Sequence, residues 1–192
     1  MTSRVGLLVF DGCDAMDVVG PYEVFLTANR LRARRGAVPV FDVLVIGDAE
    51  VTVYGGLQLV PSVSTKDAGA LDLLVVPGAI DVDAAQPDDA IRALAPRSEV
   101  VTSVCTGAFF LQRLGLVGDR EVTTHWEDVP LLRQAGAAAR DDVRWVDSGS
   151  LVTSGGISSG IAMALHLVER YADCELAEAT ARQIDYVWTR AR

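Results

Sequence analysis

Short apolar runs of the kind that form buried strands alternate with helical patterns along the chain. Residues 5–10 ("VGLLVF") make the first run. Residues 17–35 follow with helical spacing, and Pro21 is expected in the first turn, where its missing N–H costs little. Residues 38–46 ("VPVFDVLVI") are the second apolar run, and "VTVYGGLQLVPS" after it reads as a hairpin turning on Gly55-Gly56. "LDLLVVPG" at 71–78 is continuously apolar and ends in a breaker, as a parallel strand buried on both faces should. A helix over 88–95 leads to a strand over 99–104, then to a helix beginning near Thr106. Residues 122–124 and 143–146 read as strands with a helix over 127–134 between them. "SLVTSGGISSGIAMALHLVERYA" reads as strand, glycine turn and a helix with Ile157, Ile161, Leu165 and Val168 on one face. A final helix is predicted over 175–190.

Repeated β-then-α units predict an α/β fold, a mainly parallel sheet between two layers of helices, with the hairpin as an appendage. No repeat, low-complexity tract or linker interrupts the pattern, so residues 1–192 are expected to form a single domain. Ligands in such folds bind at the carboxyl ends of the strands. Asp17, Gly78 and Cys105 each follow a predicted strand, and the topology would bring them together there.

Composition narrows the partners. Half of the 192 residues are hydrophobic, and the formal net charge of −9 argues against nucleic acid as a ligand. The one dense basic cluster, "RLRARR", fits the solvated end of a helix. The three cysteines, Cys13, Cys105 and Cys174, are far apart and show no CxxC or Cys/His spacing, so neither a disulfide framework nor a structural zinc site is expected. The apolar stretch in "MTSRVGLLVFDG" is short for a signal peptide, and no run reaches the roughly 18 apolar residues of a membrane span. A cytoplasmic protein with no membrane partner is the expectation.

Cys105, in "VTSVCTGAFFL", stands where a strand meets a helix. Free cysteine is often a small buried hydrophobe, and local pattern alone leaves that reading open. The alternative is a nucleophile elbow, in which a tight turn flanked by Gly107 and Ala108 projects the thiol toward a helix N-terminus. Backbone N–H groups and the helix dipole would then favour the thiolate. The N–H of Thr106 is a natural donor to developing charge, joined by that of Gly78 or Ala79 from "VVPGAID". Asp17 reads either as a first-turn or capping acid or as a carboxyl facing the thiol; two adjacent anions repel, so one of the pair should keep a proton. His125 in "EVTTHWED" reads as a packing residue or as a substrate or acid–base contact. His166, Cys13 and Cys174 read as structural.

These segments resemble the ThiJ/PfpI-like superfamily, relatives of class I glutamine amidotransferases, and within it the isocyanide hydratase branch. The resemblance rests on "MDVVGPYEVF", "LLVVPG", "VTSVCTGAFFLQRLGLV", "VTTHW" and "LVTSGGISSGIAMAL", and it covers essentially the whole chain. It implies a flavodoxin-like three-layer sandwich, commonly a homodimer, with Cys105 as nucleophile and Asp17 as its acidic partner. The hydratase branch has threonine after the cysteine, as Thr106 is here, whereas protease-like members usually have histidine. The strand-end turn, often Pro-Gly-Gly in that family, reads "PGA" here and keeps a backbone donor.

The reaction so implied is addition of water to a small-molecule isocyanide, giving an N-substituted formamide through a thioimidate on Cys105. Asp17 would manage the protons, and the Thr106 hydroxyl would hold Asp17 or the intermediate. No metal or organic cofactor is called for. The alternatives are another cysteine-dependent enzyme, such as a cofactor-independent glyoxalase, and a non-catalytic regulatory or redox-sensing module. Related regulators carry a DNA-binding helix-turn-helix module that does not occur before Arg192.

Overall fold

The computed structural model describes residues 2–189. Its centre is a six-stranded sheet made of β1 (Ser3–Leu8), β2 (Phe41–Ile46), β5 (Leu71–Val76), β6 (Ser98–Val104), β9 (Trp145–Asp147) and β10 (Leu151–Ser154). The order across it is β2-β1-β5-β6-β10-β9, and every pairing is parallel except that of β9 with β10. In β5, successive side chains serve different layers. Leu73 and Val75 join one buried cluster, and Leu74 and Val76 join the other. That two-sided burial explains a strand with no polar alternation.

One face is covered by α1 (Ala15–Arg34), α5 (Ser159–Tyr171) and α6 (Cys174–Gln183), which pack on one another through residues such as Phe25, Met163, Leu167 and Ala177. The other face is covered by α2 (Asp88–Leu94), α3 (Gly107–Arg113) and α4 (Val129–Gln134), through Ile91, Phe110, Leu111 and Leu132. The expected α/β fold with a mainly parallel sheet between helical layers is the observed one. The hairpin is also present, as β3 (Val51–Thr52) and β4 (Gln58–Leu59), with Gly55 and Gly56 at φ 86° and 91° in the turn. It hems the loop after β1. Gly12 N–H donates to Thr52 O and Tyr54 N–H to Cys13 O.

Several expectations change. Helix α1 begins two residues earlier than expected, because Asp14 caps it by accepting from the N–H of Met16. Pro21 therefore lies inside the helix, not in its first turn. The predicted strand at 122–124 is β7 (Glu121–Thr123), which leaves the main sheet to pair in parallel with β8 (Ala138–Arg140), a strand the pattern did not predict. Ile157 precedes α5 instead of lying on it. The last helix stops at Gln183, well short of the predicted end, and Arg190 lies outside the described residues.

Candidate functional site

Strand β6 ends at Val104 and α3 begins after its cap residue Thr106, so Cys105 alone makes the corner. Its φ of 56° is left-handed, a conformation that costs a side-chain-bearing residue roughly 1–2 kcal/mol and is kept only where the surroundings fix it. They do so from distant parts of the chain. The N–H of Cys105 donates to Ser154 O (3.2 Å) and Gly155 O (3.1 Å), and its carbonyl accepts from the Thr124 hydroxyl at 2.8 Å. The thiol is partly exposed.

Behind this corner, Asp17 on the first turn of α1 has no exposed surface. Its Oδ2 accepts from the N–H of Gly78 at 2.9 Å, while Oδ1 is buried with no hydrogen-bond partner among the described residues. Burial pushes the carboxyl up to about 7, the Gly78 bond opposes that rise, and the charge of Asp14 adds to it. Glycine is required at 78 by space. A Cβ there would stand 2.5 Å from Thr106 Oγ1, 2.8 Å from Thr106 N and 3.0 Å from Asp17 Oδ2.

Thr106 ties the end of β5 to the start of α3. Its hydroxyl donates to Ala79 O at 2.7 Å and accepts from Ala79 N–H at 2.9 Å. The expected roles shift accordingly. The amides of Gly78 and Ala79 are already committed, to Asp17 and to Thr106, so they are not the free donors expected at the site. The Thr106 hydroxyl is likewise spent on Ala79 and does not hold Asp17.

The thiol itself departs from expectation. Burial, and next the charge of Asp17, push Cys105 up to about 12, and backbone hydrogen bonds from Thr106 and Ile157 only partly offset them. A helix start favours the thiolate, but here desolvation outweighs it. Burial thus favours the neutral form of both groups, a thiol beside a carboxyl whose own value is pushed up to about 7.

Cys105, Thr106 and Ala79 line a cavity of about 640 Å³ together with His125, Phe109 and Ile157. His125 Nδ1 lies 3.6 Å from Asp128 Oδ2 and 3.7 Å from Glu127 Oε2. Ile157 was not foreseen. It is half exposed with a φ of 48°, and its main chain reaches the Cys105 sulfur. The only local signal is the "SGGISS" segment, whose glycines mark a turn but do not single out the residue that follows them.

The other singled-out residues fall elsewhere. His166 stacks on Trp145 with ring centroids 3.9 Å apart and sits 2.7 Å from Asp147 Oδ2, a structural arrangement. Cys13 is fully buried, and burial lifts its thiol to about 11. Cys174 is not a core residue; it begins α6, partly exposed, 3.3 Å from Glu178 Oε1. Among the described residues no group of His, Cys, Asp and Glu is arranged to hold a metal ion, and no helix is long and apolar enough to cross a membrane.

A parallel α/β sheet whose strand-end corner presents a cysteine to a cavity, with a buried carboxyl behind it, defines a recognisable class of protein. The chain belongs to the DJ-1/PfpI family, whose profile matches residues 3–170. It is 35% identical over 190 residues to the isonitrile hydratase of Pseudomonas putida, covering 97% of this chain and 79% of that one. It is 26% identical over 187 residues to the HTH-type transcriptional regulator GbdR of Pseudomonas aeruginosa, covering 95% of this chain but 50% of the regulator. The crystal structure of a ThiJ/PfpI family protein from Pseudomonas syringae superposes with a TM-score of 0.83 at 24% identity, over all of this chain and 78% of that one. That last likeness concerns the fold.

Proposed function

We propose that the protein adds water to isocyanides and that Cys105 is its nucleophile. The observation that carries this reading is the pairing of a fully buried carboxyl that has one unpartnered oxygen, Asp17, with a cavity-lining cysteine held at a fixed corner. The 35% identity to an isonitrile hydratase supports the choice of substrate class.

The chemistry follows from the protonation states. Asp17 as carboxylate takes the proton of the Cys105 thiol, and sulfur bonds to the terminal carbon of R–N≡C. The same carbon receives the proton from Asp17, giving the thioimidate R–N=CH–S–Cys105. Water then adds to that carbon through its oxygen, and Asp17 takes its proton and passes it to nitrogen, giving R–NH–CH(OH)–S–Cys105. The tetrahedral adduct collapses with cleavage of the C–S bond while Asp17 takes the proton of its hydroxyl. R–NH–CHO leaves, and Asp17 returns a proton to sulfur. Backbone N–H groups of Thr106 and Ile157 stabilise the sulfur whenever it carries charge. His125 serves as a substrate contact in the cavity.

Formamide release from an alkyl isocyanide tests the reading. The wild-type protein should turn over, and Cys105→Ala should lose activity by about a thousandfold or more. Activity that survives this substitution would remove the covalent route.

A further inference from the structure

We propose that the cavity in front of Cys105 selects substrates with a positive charge remote from the reacting carbon: isocyanides whose substituent ends in an ammonium or similar cation on an apolar spacer. The reacting group in this statement rests on the hydratase reading; the charge preference does not.

Among the described residues, five carboxylates line the cavity, from Asp14, Asp81, Asp83, Glu127 and Asp128, and no lysine or arginine does. His125 is the one basic side chain there, and Asp128 and Glu127 flank it. Asp14 and Asp81 accept hydrogen bonds from the main-chain N–H groups of Met16 and Ala84, neutral donors that leave the full negative charge in place. Among the described residues, none of these five carboxylates pairs with an arginine or lysine.

The acidic rim is not the whole of the observation. The same cavity carries the Cys105 thiol, and behind it Asp17 keeps a buried oxygen with no partner, so a reacting centre and an unspent acceptor are already in place. The lining also includes Phe109, Val82 and Leu131, which suit an apolar spacer. A cleft lined by one sign of charge raises the local concentration of opposite charge and repels like charge. An anionic substituent would meet five carboxylates with one imidazole to offset them.

The test needs no turnover. In a Cys174→Ser background, where Cys13 is fully buried, Cys105 is the thiol open to reagents. Its labelling by trimethylammonioethyl methanethiosulfonate is compared with labelling by the sulfonatoethyl reagent, each rate normalised to that on 2-mercaptoethanol. At low salt the cationic reagent should be faster by about tenfold or more. The ratio should fall in about 0.5 M salt and in the Asp81→Asn/Asp83→Asn/Glu127→Gln variant. Should that variant fail to fold, Asp83→Asn alone, at an exposed position, should still lower it. Equal normalised rates, or a ratio untouched by these substitutions, would overturn the proposal. Turnover of matched neutral, ammonium-bearing and carboxylate-bearing isocyanides separates it from the hydratase reading. Turnover of none removes that reading and leaves the labelling ratio to judge the charge preference. Equal turnover of the two charged substrates removes the charge preference alone.

Discussion

Asp17 has no exposed surface, one accepted hydrogen bond and one orphan oxygen, and this environment holds it protonated up to about 7. In the proposed reaction it must start as a base. Activity should therefore rise with pH through about 7 and then level off. A second rise between pH 8 and 9, the range of an ordinary cysteine, is not expected, because Cys105 is pushed up to about 12. Formamide release at subsaturating isocyanide across about pH 5 to 9 gives this profile. Asp17→Asn should lower the rate by about a hundredfold or more and flatten it. A flat wild-type profile would mean that the thiolate is preformed and that Asp17 is not the base.

Helix ends show where one residue stops an element. After α1, α3 and α4, Gly36, Gly115 and Gly136 take positive φ, and the next N–H bonds back to Arg32, Leu111 and Leu132. This is the left-handed glycine ending that most helices favour. Helix α6 ends in the same way, with Tyr186 N–H on Ala181 O, but Asp185 occupies the left-handed position at φ 54°. An aspartate there gives no glycine-like stop signal, which is why the helical pattern runs on toward 190 in the sequence. Asp185→Gly should remove the strain and raise stability by up to about 1 kcal/mol, measured as an upward shift in thermal midpoint. No gain would mean that the aspartate side chain offsets its own backbone cost.

For the whole molecule, the raised Asp17 pKa is a stability statement. The carboxyl titrates near its usual 3.8 in the unfolded chain and at about 7 in the folded one, so the native state holds the proton more firmly. The associated stability is fully present below about 4 and is lost as pH rises through about 7, where the fold must carry a buried charge. Asp17→Asn keeps an acceptor for Gly78 and removes that charge. It should raise the thermal midpoint more at pH 8 than at pH 5, the residue proposed for chemistry being a burden to the fold. An equal shift at both pH values would show that ionised Asp17 is not a cost. The sequence pattern made the sheet legible because β5 is an almost wholly apolar run and β6 is rich in valine, signals that need no distant information. Asp17, Cys105 and Thr106 could be singled out for the same reason, since each follows or borders a strand end. Strand β8 could not, since "AAR" offers no branched or alternating residues. Nor could the commitment of the Gly78 and Ala79 amides, the approach of Ile157 to the sulfur, or the victory of desolvation over the helix start. Each of these depends on how far segments from 14 to 157 press together.

The main chain of Cys105 is fastened by Ser154, Gly155 and Thr124, all of which follow it in sequence. Synthesis runs from the N-terminus, so a growing chain that has passed the cysteine still lacks every one of those fasteners. Until residue 155 has emerged and β10 has docked beside β6, the N–H of Cys105 lacks both of the carbonyls it donates to in the folded protein. A nascent chain, or one cut short before residue 154, thus carries the thiol without the geometry proposed to make it a nucleophile.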